Sequence, residues 1–163
     1  MPERATVKRA RKDAQEGKAP STQAGEFVRE EIEHIREGKH GARSTKQAIA
    51  IGLSKARRAG VRLPAKKATS AQTRAQAKRD IAKGKRPRRK VSATRSRAVR
   101  GALKREGRKA ATKRALARQA RSTASRRSAA QRSAAARKAV RTKGAAKRSA
   151  AARKAARTQA RRR

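Results

Sequence analysis

The chain has 163 residues, with 52 Lys or Arg against 10 Asp or Glu and a net charge of +42 at pH 7. Leu, Ile, Val and Phe contribute only 16 residues, well under the ~20% below which a highly charged chain is expected to be disordered, and 39 alanines make up most of the apolar content. There is no cysteine, no apolar run near the roughly 18 residues of a membrane span, and no core large enough to hold a dry catalytic pocket; disulfide scaffolds, membrane spans and enzymes are set aside, and no cofactor or metal is expected.

The charge is unevenly placed. Residues 1–37 carry eight basic and eight acidic side chains and sum to zero. Residues 38–63 carry seven basic and no acidic ones, and residues 64–163 carry 37 basic residues against Asp80 and Glu106 alone. A run of this kind repels itself in water and calls for a polyanion, of which nucleic acids are the abundant long ones in cells.

Residues 1–20 are polar and mixed in charge, and they read as a flexible leader. The opening MPERATVKRARKD has no apolar stretch of the secretory kind. A helix is predicted next, capped by Ser21 or Thr22, with Phe27, Val28, Ile32 and Ile35 on one apolar stripe. Gly38 is its expected C-terminal stop. After the loop KHGAR, the spacing Ser44-x-x-Gln47 predicts a capping box, with the Gln47 side chain reaching back. Ala48, Ile49, Gly52, Leu53 and Ala56 form the apolar face of this second helix, and Gly52 permits close approach of a neighbour. Gly60 ends it, and Val61 and Leu63 are placed to fold back as a lid. Residues 21–63 are thus expected to form an αα-hairpin, marginal alone or firmed up as a homodimer. The larger apolar residues concentrate there, so packed structure is expected near residues 20–63.

Residues 64–90 read as a basic linker with a helical stretch within Ala68–Ala82, ended by the KGKRPRRK run. GKRPRRK is similar to an AT-hook, but Lys85 stands where that motif has Gly, which argues against deep minor-groove insertion. Residues 91–163 are low-complexity Ala/Arg/Lys/Ser. RSAAARKAVRT at 132–142 recurs as RSAAARKAART at 148–158, an offset of about four and a half helical turns. Ala and Arg favour helix, while like charges at i,i+4 oppose it until phosphate neutralises them. The fold class expected is therefore small and all-α: a hairpin head on a largely disordered basic tail with helix-forming segments.

His34 and His40 lie among several glutamates, and Glu30 and His34 are spaced i,i+4. The preferred reading of these is a solvated polar face rather than a metal site.

The block GKHGARSTKQAIAIGLSKARRAG, within residues 26–63, resembles a family of small basic bacterial proteins for which no reaction is established. The following hundred residues are similar in composition to the tail of linker histone H1 and of bacterial histone H1-like proteins, though richer in Arg than in Lys. That resemblance implies a nucleoid-associated protein that compacts duplex DNA, located in the cytoplasm on a bacterial nucleoid or in a eukaryotic nucleus. Duplex is preferred over single strands because Phe27 is the lone aromatic and belongs to the apolar stripe. The residues expected on phosphates are Lys85, Arg86, Arg88, Arg89, Lys90, Arg95, Arg97, Arg100, Arg114, Arg118, Arg126, Arg127, Arg137, Lys138, Arg153, Lys154, Arg161, Arg162 and Arg163. Two alternatives stand beside this reading: an RNA- or ribosome-associated protein, and a chromosome-localised adaptor that docks a protein partner through the hairpin.

Overall fold

The computed structural model describes residues 2–65, 70–86 and 92–161. Among these the chain is helical throughout, with no strand, and it divides into two units, Met1–Gln119 and Ala120–Arg163.

The first unit is built on α2 (Pro20–Arg36) and α3 (Thr45–Arg58). The two are antiparallel. Ala24 and Phe27 of early α2 share a cluster with Ala56 of late α3, while Ile32 and Ile35 of late α2 share one with Ala48 of early α3. Gly52 sets their separation: a Cβ there would lie 2.7 Å from the Val28 Cα. The local signals are partly those expected and partly not. Pro20, not Ser21 or Thr22, opens α2, with a fixed φ suited to the first helical position. At its far end Gly38 adopts φ +80°, and the Gly38 and Lys39 amides donate to the Ile35 and His34 carbonyls, the Schellman pattern. The Ser44 hydroxyl accepts from the Gln47 amide, but the Gln47 side chain reaches one residue further back than a capping box requires and accepts from the Arg43 amide at 2.8 Å. Gly60, at φ +98°, closes α3 in the same way as Gly38, with the Val61 amide on the Ala56 carbonyl. Val61 is buried against that helix end and Leu63 packs beside it.

The hairpin is not the whole head. Residues read as a flexible leader form α1 (Arg4–Gln15), which lays Thr6, Val7 and Ala10 on the cluster around Phe27. Helical spacing puts these three on one face, a pattern too weak in apolar size to stand out within a charged stretch. The basic linker contains α4 (Ala71–Gly84), capped by Ser70 and fastened to α3. Its last residue, Gly84, runs against the α3 terminus, where a Cβ would meet the Arg57 carbonyl oxygen at 2.6 Å.

Further along, α5 (Ala93–Arg105) is followed by a single 3-10 turn, Lys109–Ala111. This turn covers the second cluster. Ala110 and Ala111 pack on Ile32, Ile35, Ala42 and Ala48, and Leu116 of α6 (Lys113–Ser125) adds to them. Thr45 donates to the Ala110 carbonyl at 2.7 Å, and Arg36 to the Ala111 carbonyl at 2.9 Å. The KHGAR loop is held by the same segment: Gly41 and Ala42 amides donate to the Leu103 and Gly107 carbonyls. Packed structure therefore extends far beyond residues 20–63. Small alanines do much of the covering of the apolar faces of α2 and α3.

The second unit continues from the latter half of α6 into α7 (Ala129–Ala160), capped by Ser128. Gly144, at φ 64° and ψ 169°, interrupts α7. The two copies of the sequence repeat fall one on each side of it. The tail, expected to be largely disordered, is thus helical over its described residues. Ser92 and Ser128 supply caps, and the density of Ala and Arg supplies propensity.

Candidate nucleic-acid interface

The charges of the two halves of the chain have different fates. Of the eight acidic residues in 1–37, all but Glu33 are in ion pairs among the described residues. Two link neighbouring helices or turns: Arg9 Nε to Glu26 at 2.6 Å and Lys18 Nζ to Asp13 at 2.6 Å. Lys55 Nζ lies 2.5 Å from a Glu31 oxygen and 3.5 Å from one of Glu30. Glu30 also accepts the Glu3 amide at 3.1 Å. Hydrogen bonds from His34 and Lys39 hold the Glu3 carboxyl below its usual range.

Beyond residue 37, Asp80 is buried between α4 and α3. It accepts from Ser54 at 2.7 Å, from Arg58 at 2.9 Å and from Gln76 at 3.2 Å. Burial pushes its carboxyl up; the hydrogen bonds from Ser54 and Arg58, the Arg58 charge and the Gln76 hydrogen bond outweigh that and hold it below the ordinary value. After Glu106 the sequence has no acidic side chain, and residues 120–163 hold sixteen basic ones. That segment therefore holds no carboxylate side chain of its own to neutralise its cations.

The nineteen predicted phosphate contacts divide as follows. Lys85 and Arg86 follow α4; Arg95, Arg97 and Arg100 lie on α5; Arg114 and Arg118 on α6; Arg126 and Arg127 between α6 and α7. Arg137 and Lys138 lie before the Gly144 break, Arg153 and Lys154 after it, and Arg161 just past α7. Every one of these fourteen side chains is exposed. Arg88, Arg89, Lys90, Arg162 and Arg163 lie outside the described residues, as does most of the AT-hook-like run. In the repeat, Arg137 and Lys138 correspond to Arg153 and Lys154, so each helical segment presents the same adjacent pair. Val99 and Val140, at 53% and 44% exposure, are the large apolar side chains most open to solvent among the described residues.

Phe27, the one Phe, Tyr or Trp of the sequence, is 1% exposed and so not placed for base stacking. Sequence reading missed the burial of Glu30 and Glu31. The signal was present, since Phe27, Glu31 and Ile35 are spaced by four and share one face of α2.

With the geometry in place, residues 21–67 match a protein family described as "Family of unknown function (DUF6496)". That span runs from the first turn of α2 to beyond the end of α3. No curated protein and no solved structure matches the chain. No helix among the described residues is long and apolar enough to cross a membrane.

Proposed function

We propose that the protein binds duplex DNA without sequence preference and compacts it, in the manner of a nucleoid-associated, histone H1-like protein. One observation carries the reading: the fourteen described candidate cations are all exposed, in a region whose sequence holds almost no compensating carboxylate. Arg and Lys side chains on short Ala-rich helices neutralise phosphates and release condensed counterions, and this term is blind to sequence. Base-edge readout needs a rigid element that aims a few side chains into a groove. A repeat broken at Gly144 offers two similar phosphate-binding surfaces instead. Neutralising phosphates on neighbouring duplex segments lowers their repulsion, and compaction follows.

The test is a binding titration on random-sequence duplex DNA at several salt concentrations, with structured RNA as competitor. If about ten phosphates are neutralised together, log K falls with log salt at a slope of roughly −9, and sequence changes leave K within a few-fold. A shallow slope near −2, or displacement from DNA by equimolar structured RNA, overturns the reading in favour of the RNA-associated alternative.

A further inference from the structure

Glu31, His34 and His40 bring one ligand atom each to within 4.8 Å of one another. We propose that they form a binding site for a borderline divalent metal of the Zn²⁺ class, pinning the KHGAR loop to α2. Three observations converge on it. The Glu31 side chain is 1% exposed, and neither of its oxygens accepts a hydrogen bond. One oxygen is paired with the Lys55 ammonium at 2.5 Å, and the other points at His40 Nε2, 3.3 Å away. A buried carboxylate oxygen that faces no hydrogen-bond donor is a costly arrangement, and the Lys55 ammonium sits on the other oxygen.

The second observation is the His40 tautomer. His40 Nδ1 lies 3.1 Å from the Gly41 carbonyl oxygen, and a carbonyl only accepts, so Nδ1 carries the hydrogen. In the neutral ring this leaves the Nε2 lone pair facing the Glu31 lone pairs. Two acceptors aimed at each other repel until a proton or a metal ion stands between them. A ligating histidine usually donates its other ring nitrogen to a backbone carbonyl or carboxylate in this way. His34 has the matching feature, with Nε2 2.9 Å from a Glu3 carboxylate oxygen, a partner of the kind that fixes a ligand ring.

Third, the spacing suits the ion. Metal–ligand bonds of about 2.0–2.2 Å in a tetrahedron place neighbouring ligand atoms roughly 3.3–3.6 Å apart. The Glu31–His40 distance already lies there, and a His34 ring nitrogen lies within 4.8 Å of both. Two imidazoles and a carboxylate select Zn²⁺ or its neighbours over Mg²⁺ or Ca²⁺, which prefer all-oxygen shells.

The chain has no cysteine and only these two histidines, so histidine-dependent uptake has one place to occur. The experiment strips the full-length protein with a chelator and titrates Zn²⁺ against a chromophoric competitor. One equivalent is expected, with affinity reduced at least tenfold in His34→Gln and in His40→Gln. Glu33→Gln, which changes an exposed glutamate outside the cluster, is expected to bind as the parent does. Uptake below half an equivalent, or uptake unaltered in both histidine variants, overturns the proposal. Should either variant lose its helical circular dichroism, Co²⁺ loaded into the parent decides: strong visible bands of a four- or five-coordinate ion support the site, and weak octahedral bands refute it.

Discussion

Asp80 and Glu106 are the only acidic side chains after residue 37, and both sit where the basic half of the chain meets the head. Asp80 does so through its carboxylate. Glu106 does so through its backbone, whose carbonyl approaches Gly41 so closely that a Cβ there would overlap it. In the sequence Asp80 is a lone acid among bases, easily taken for a solvated residue, because nothing local marks Ser54 and Arg58 as its partners. Its lowered pKa gives a signed prediction. Burial raises the value and the hydrogen bonds and Arg58 lower it by more, so the folded value lies beneath that of an ordinary aspartate. A carboxyl depressed on folding stabilises the fold above the unfolded pKa, and that share is lost as pH falls through the folded value. Asp80→Asn is therefore expected to lower stability at pH 7 by about 1–3 kcal/mol. It should also flatten the loss of stability below about pH 4. Urea unfolding from pH 7 to pH 2.5 checks both, and parallel pH profiles for the two proteins would count against the role given to Asp80.

At the scale of elements, the hairpin was legible in the sequence and its covering was not. Helices α2 and α3 announce themselves through large apolar residues, the Ser44 cap and the stop glycines. Helix α1 and the 109–111 turn cover the hairpin with Thr6, Ala10, Ala110 and Ala111, residues too small or too polar to produce an apolar pattern. Among 39 alanines, nothing in the sequence distinguishes the few that are buried. The tail helices pose a related problem, since propensity and charge repulsion point in opposite directions and only the balance decides. Gly144 gives access to that balance. A non-glycine residue in a left-handed conformation costs about 1–2 kcal/mol, and Gly→Ala inside a helix gains about 1 kcal/mol. Gly144→Ala is expected to join the two repeat segments into one helix, giving a more negative ellipticity at 222 nm in the full-length protein. An unchanged spectrum would mean that something other than this glycine interrupts α7.

For the whole molecule, the extent of the head changes where the chain should be cut. A boundary at residue 64 discards α4 and the 109–111 turn, which close the core, whereas a boundary at 119 keeps the first unit intact. Residues 1–119 alone are expected to retain cooperative thermal unfolding and to bind DNA more weakly with a shallower salt slope, since sixteen basic residues and no acidic one leave with the tail. A melting curve and a binding titration at several salt concentrations on this fragment test both halves of that statement. Full affinity and an unchanged salt slope without residues 120–163 would confine the interface to the first unit.

The docking of the 109–111 turn has a further consequence, in time rather than space. Thr45 and its partner Ala110 are 65 residues apart, and Arg36 and Ala111 are 75 apart. At a synthesis rate of about 5–20 residues per second, the ribosome needs roughly 3–13 s after making Thr45 to deliver its partner. Throughout that interval Ile32 and Ile35 lack their lid, on a nascent chain whose emerging residues grow steadily more cationic beside ribosomal RNA. Chain closure of this length is slow by topology, so the order of emergence, and not only the final packing, governs how safely the head is made.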